Sequence, residues 1–337
     1  MAIDWSKSYT LKAYAERINP QNWLGDGIEI PILSASVKRS DDNDRQSATI
    51  DCGNYTSDKE IWVRLWADVS QGNSAEHVAL FTGLTAPTKK NINGTLVKTS
   101  LECYSVLRPA SDVLLQKGWY APAEADGAGL IKDLLAPSPA PIDCDQEAPL
   151  LKEAIIAEDN ETNLSMVEKI LDAIEWTISV DGKGHIILGK ADSDTKVRYD
   201  SLSYDVVKPE ITYEANWYDC PNVFRVTSGD DYAEARDDSN DSPLSTVNRG
   251  REIWKSESSP SLKDDESLSE YAERKLKEAQ QYDTKLSYTV RFQPNVNVND
   301  AVYISYPANN IDGTFRITSQ TINVGGGLSV SEEAISA

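Results

Sequence analysis

The segment ILSASVKRSDDNDRQSATIDC, residues 32–52, sets two alternating runs on either side of a polar turn. In "ILSASVKRS" and again in "SATIDC" apolar and polar side chains alternate, the two-residue period of a strand with one face in a core. The intervening "DDNDRQ" is rich in turn-forming residues, so the pair reads as two antiparallel strands. Working outward, the same character recurs in "IWVRLWADV" (61–69), "VALFTGLTA" (78–86) and "TLVKTSLECYSVL" (95–107), each run set off by Gly, Asn, Ser or Asp. Short alternating strands at such intervals predict a small antiparallel barrel or sandwich over residues 1–108.

Beyond Pro109 the period changes. In "GAGLIKDLLAP" (127–137), Leu130, Ile131, Leu134 and Leu135 share one helical face, and the run Pro137 to Pro141 stops the helix. A second helix is expected in "NETNLSMVEKILDAIEW" (160–176), with an apolar stripe of Leu164, Val167, Ile170, Leu171 and Ile174. The following "WTISVDGKGHIILG" (176–189) reads as a hairpin turning at Asp181 to Gly184. Residues 109–204 therefore form a small α/β middle domain.

From residue 205 strands return. "SYDVVKPEITYEAN" (203–216) precedes a strand entered through Cys220 and Pro221, along which Val223 and Arg225 alternate. The acids Asp230, Asp231, Asp237, Asp238 and Asp241 read as an exposed excursion. A serine-rich loop from Ser256 leads to a helix at 265–281, docked by Leu268, Tyr271, Ala272, Leu276 and Ala279. The strands "KLSYTVRF", "VNVNDAVYISYP" with its turn at Asn299 and Asp300, "GTFRITSQTINV" and "LSVSEEAI" complete the chain, and Gly325 to Gly327 form a loose hairpin between the last two. The fold class expected is mainly β with an α+β insert: two antiparallel barrel-like domains, 1–108 and 205–337, flanking the middle domain.

Composition narrows the function. With 337 residues, 40% hydrophobic and 26% charged, the chain suits a multidomain globular protein, and it holds no apolar run near the roughly 18 residues of a membrane span. The opening "MAIDWSKSYT" lacks the order of a signal peptide, so synthesis in a cytoplasm is expected. A formal charge of −21 disfavours a phosphate-gripping surface, so tight nucleic-acid binding is not expected.

Chemical motifs are scarce. Cys52, Cys103, Cys144 and Cys220 occur without a C-x-x-C pair and are expected as free thiols, with Cys52 and Cys103 the pair to bridge if any did. Only His77 and His185 could join them around zinc, and both read as surface residues. The acids of 230–241 lack the glycine and terminal glutamate of a calcium loop and read as solvated, and Cys220 has no nearby histidine to make it a nucleophile. Catalytic, cofactor and metal residues are accordingly assigned to no position.

The order of segments carries more information than any motif. "LFTGLTAPTKK" and "TLVKTSLECYSVL", then "LSMVEKILDAIEWTISVDGKGHIILG", "CPNVFRVTSG", "ESLSEYAERKLKEAQ", and finally "VNVNDAVYISY" with "GTFRITSQTI" resemble, nearly end to end, the tail or baseplate hub proteins of bacteriophages and of phage-derived contractile machines. Where that family often has Gly-Asp before a strand, this chain has Asn299 and Asp300. The resemblance implies a non-enzymatic virion protein at the tail tip or baseplate, assembled in the host cytoplasm. It further implies a homotrimer whose two barrels per chain imitate a sixfold ring, with tail tube, distal tail or baseplate, and tail tip or spike proteins as partners. The negative charge would suit a tube through which DNA passes without sticking. Two rivals are weighed. A receptor- or carbohydrate-binding tail protein would also be β-rich, although Trp62, Trp66, Tyr288 and Tyr303 sit at alternating strand positions suited to packing. A cell-wall hydrolase would need a further domain, for which little chain is left after "EEAISA".

Overall fold

The alternation of residues 32–52 becomes two neighbouring antiparallel strands of a large sheet. The structure is a computed structural model that describes residues 2–41, 45–53, 55–93, 96–190, 195–200, 207–215, 217–229, 231–258, 267–280 and 284–336. The expected boundary at 204/205, Asp230, and the expected helix ends at 265 and 281 lie outside the described residues. The chain is mainly β with few helices, and divides into one unit of residues 1–211 with 287–335 and a smaller unit of residues 212–286.

In the larger unit, β1 (Thr10–Asn19), β2 (Leu24–Ser40), β3 (Gln46–Cys52), β4 (Trp62–Gln71), β5 (Ser74–Thr85), β6 (Lys89–Asn93) and β7 (Leu96–Tyr104) are joined by antiparallel pairing. The ladder runs β1–β4–β5–β7–β3–β2 and returns through β2 to β1, a closed circuit of six strands. Closure removes free edges, and the inward phase is apolar: Ile30, Val37, Ile50, Val63, Leu65, Phe81 and Leu101 are fully buried.

The middle segment contributes α1 (Arg108–Ser111), β8 (Tyr120–Ala121), α2 (Gly127–Leu135), β9 (Ile142–Asp143), β10 (Ile155–Ile156), α3 (Asn163–Ile174), β11 (Thr177–Val180) and β12 (Ile186–Gly189). Asp126 caps α2 through the amide of Ala128, and Thr162 with Ser165 forms a capping box on α3. The expected stripe of α3 is buried throughout, joined by Met166, and it packs against Ile131, Leu134 and Leu135 of α2. Leu130 is only partly buried. This cluster extends to Ile18, Trp23, Val106 and Leu107, so the α/β segment and the strand circuit share a core.

The C-terminal strands continue the same sheet. Here β13 (Thr195–Asp200), β14 (Val207–Ala215), β18 (Thr284–Arg291), β19 (Ala301–Tyr306), β20 (Ile311–Val324) and β21 (Leu328–Ser336) follow the order β13–β19–β20–β21–β18–β14, and β20 also pairs with β2. The strand β20 pairs with β19 over Ile311–Arg316 and with β2 over Ser319–Val324. Its buried positions change phase between Ile317 and Gln320, which lets one strand serve two neighbours. Asn299 takes a left-handed conformation (φ 72°) at the expected turn before β19.

The smaller unit departs from expectation. Cys220 and Pro221 lead into β15 (Val223–Ser228), which belongs not to the large sheet but to a three-stranded one with β16 (Asp231–Arg236) and β17 (Trp254–Ser258). The acidic excursion is thus half strand, because Ala233 and Ala235 alternate with Tyr232 and Glu234 and give β16 an apolar face. At the start of the loop expected from Ser256 the chain is still strand, since β17 pairs in parallel with β15 through Ser258, and residues 259–266 lie outside the described residues. Helix α4 (Thr246–Arg249) was not foreseen, and α5 (Leu268–Ala279) opens on a capping box of Ser267 and Glu270. Tyr271, Ala272 and Leu276 of α5 cover Phe224, Val226 and Ala235.

Candidate functional site

The best-built polar site of the larger unit is the seat of the β11–β12 hairpin tip. Its turn, Asp181 to Gly184, lies against the strand circuit, and three side chains of that circuit, with Trp23 just before β2, reach carbonyls of the hairpin. The amide of Gln46 donates to Val180 O at 2.7 Å, Thr82 Oγ1 to Gly182 O at 2.8 Å, Arg64 Nη2 to Lys183 O at 2.8 Å and Trp23 Nε1 to the same Lys183 O at 2.9 Å. Thr82 is itself fixed, because its hydroxyl accepts from Arg64 Nε at 2.9 Å. The turn can approach this closely only with glycine: a Cβ on Gly182 would stand 1.9 Å from Ala79 O, and Gly184 adopts φ 76°. On the same side, Arg45 Nη2 binds both carboxylate oxygens of Glu168 at 2.8 Å, tying the residue before β3 to α3.

Arg64 is held with its guanidinium below its usual range by burial, which Asp181 and Glu16 oppose. Arg39 is buried too; burial lowers it to about 10, and its nitrogens donate to Asn297 Oδ1 at 3.0 Å and Leu80 O at 2.7 Å. These groups spend their hydrogen bonds on backbone, amide and hydroxyl oxygens, a pattern that fixes segments in place.

A second buried polar group lies among the C-terminal strands. Tyr199 of β13, Tyr288 of β18, Gln320 of β20 and Glu332 of β21 are each at most 4% exposed. Gln320 Nε2 donates to Glu332 Oε1 at 2.7 Å, and the tyrosine rings meet edge to face with centroids 6.0 Å apart. In the smaller unit, the sheet face opposite α5 carries exposed aromatics. Arg225 stands over the rings of Trp254 and Tyr232, with Arg249 over Trp217 and Arg251 over Tyr218 nearby.

The residues weighed from sequence are not brought together. Cys220 is buried at the entrance to β15, where its carbonyl accepts from Arg249 Nη1 at 2.7 Å. Asp237 accepts from Ser242 and Gln280, and Asp238 from Thr246, so these acids brace the loop before α4. His77 is paired with Asp68 and stacked on Trp66 at 3.8 Å; His185 is paired with Asp143. None of the four cysteines forms a disulfide. Among the described residues no group of three or more His, Cys, Asp or Glu could hold a metal ion, and no helix is long and apolar enough to cross a membrane.

Sequence reasoning missed the hairpin seat and the buried cluster. Glu332 did leave a signal, since it falls on the apolar phase Leu328, Val330, Ala334 of its strand. Arg64, Thr82 and Gln46 left none, because their partners are backbone carbonyls far along the chain.

No protein-family model and no curated protein matches the chain. Solved structures do. The 43 kDa tail protein of prophage MuSo2 from Shewanella oneidensis is 12% identical, with 96% of each chain covered and a TM-score of 0.69. A tail protein from Neisseria meningitidis is 13% identical over 98% of this chain and 97% of that one, with a TM-score of 0.67. A chain of the Francisella PdpA–VgrG complex is 10% identical over 98% of this chain and 58% of that one, at 0.59. In fold, then, this chain is of the kind found in phage tail proteins.

Proposed function

We propose that this chain is a structural, non-enzymatic tail or baseplate hub protein of a phage or phage-derived machine. Three copies form a ring in which two barrel-like domains per chain, 1–108 and 205–337 with the helix of 265–281 inserted, present six similar edges to a sixfold tail tube. The ring joins the tube to the distal tail or baseplate and to a tip or spike protein, and DNA passes through it. The observation that carries this reading is the end-to-end likeness of fold to two tail proteins, each covered almost completely. The closed six-strand circuit and the second set of six strands joined to it through β2 and β20 support it. The charge of −21 favours a wall that does not hold phosphates.

A threefold ring is a head-to-tail association, so each chain must offer two different surfaces. The test is the mass of the purified protein and of the assembled tail, together with electron microscopy of particles in which this chain is labelled. A closed ring of three at the end of the tube supports the reading, and a dimer or a position on a side fibre rejects it. The second reading, a receptor- or carbohydrate-binding tail protein, draws on exposed Trp217, Tyr218, Tyr232 and Trp254. Arginines already stand over these rings, so a sugar would have to displace them; binding on a glycan array would favour it.

A further inference from the structure

We propose that Glu332, together with Tyr199, Tyr288 and Gln320, forms a buried proton switch: the cluster is stable while Glu332 is neutral, and ionisation of its carboxyl loosens the strands around it. The inference does not depend on the tail-protein reading. It starts from a count of hydrogen-bonding capacity. The Gln320 amide commits its two protons, one to Glu332 Oε1 and one to Val296 O at 3.2 Å. The remaining polar atoms, Glu332 Oε2, Gln320 Oε1 and the hydroxyls of Tyr199 and Tyr288, are buried and meet no partner in hydrogen-bonding geometry among the described residues.

A carboxylate in this place would carry an uncompensated charge. The titratable groups facing it are Tyr199 from β13, Tyr288 from β18 and Asp300 from the turn before β19, and β20 supplies the uncharged Gln320. None of these is a cation, and Asp300 repels; Arg39, the buried cation opposite Gln320 in the β2–β20 ladder, donates instead to Asn297 Oδ1 and Leu80 O. Burial pushes Glu332 up to about 7, against the pull of the Gln320 amide. A neutral acid leaves no charge to be buried in this place.

The sign follows from linkage. The folded state holds this proton up to about 7, whereas the unfolded chain releases it near 4.5, the ordinary value of a glutamate. Stability is therefore greatest below the unfolded value, falls as pH rises towards 7 and is level above it. The difference corresponds to a change on the order of a hundredfold in the folded-to-unfolded ratio.

The experiment measures thermal unfolding of the full chain and of Glu332→Gln from pH 5 to 8.5. The expected result is that the two curves differ by a pH-dependent amount, the wild type losing ground to the variant as pH rises and levelling off above 7. Parallel curves overturn the proposal. Isotope-edited infrared spectroscopy of the wild-type carboxyls tests it without a variant: a protonated-carboxyl band persisting at pH 6 and lost by pH 8 supports the switch, and its absence at pH 6 overturns it.

Discussion

Thr82 Oγ1 donates to the carbonyl oxygen of Gly182 at 2.8 Å, and so links residues a hundred positions apart in sequence. The same hydroxyl accepts from Arg64 Nε, so one threonine connects a buried cation of the strand circuit to the tip of the α/β hairpin. Replacing it by valine keeps the shape and removes both bonds. Thr82→Val is expected to cost about 1–3 kcal/mol, because a buried guanidinium N–H and a carbonyl lose their partner together. Equilibrium denaturation measures this, and an unchanged midpoint would mean that the hairpin tip is not seated there.

Gly182→Ala tests the same seat sterically. The added Cβ would lie 1.9 Å from Ala79 O, a backbone atom that cannot swing aside. The turn must withdraw, at a cost of about 1–3 kcal/mol typical of overpacking. The melting temperature should fall by several degrees, whereas alanine at Gly53, with open space around it, should leave it unchanged.

The strands and helices were legible because each has a period: Leu164, Val167, Ile170, Leu171 and Ile174 are all buried along α3, as their spacing required. What was not legible depends on contacts without a local pattern. Residues 223–228 look the same whether their neighbours are β18 to β21 or β16 and β17, so the sequence could not tell which sheet they join. Parallel pairing of β15 with β17 across 31 positions has no turn to announce it. The hairpin turn was readable from Asp181 to Gly184, but its seat required knowing which carbonyls meet Gln46, Arg64 and Thr82.

Thiol chemistry separates the four cysteines. Cys52 pairs across the ladder with Thr99 and Cys103 with Ala48, a displacement of about 13 Å along the strands. A disulfide tolerates Cα separations up to about 7 Å, so these two cannot bridge. Burial also pushes the Cys52 thiol up to about 11 and Cys103 higher still. Ellman's reagent should modify the partly exposed Cys144 first in the native protein and count four thiols after denaturation without reductant. A lower count would reveal a bridge.

The smaller unit should fail by itself. Leu276 of α5 packs on Phe224 and Val226, and Leu276→Asp introduces a charge into that contact at a cost of several kcal/mol. Limited proteolysis should then cut within residues 212–286 while residues 1–211 resist. Wild-type protease resistance in the variant would mean that α5 is not docked on the sheet.

The junction of the two strand sets makes the most searching test of how the chain is divided. Val37 of β2 lies opposite Ile322 of β20, and both are buried, so the ladder that closes the first circuit continues into the C-terminal strands without an intervening edge. Ile322→Ala leaves a cavity at that seam and is expected to cost about 2–5 kcal/mol. If the strand sets are held as one cooperative body, the weakened seam opens both sides together. Amide hydrogen exchange should then quicken in residues 35–40 and in residues 319–324 by the same factor. Faster exchange confined to the C-terminal strands, with 35–40 still protected, would mean that the first circuit stands alone. The division at residue 108 would then mark an independently stable domain.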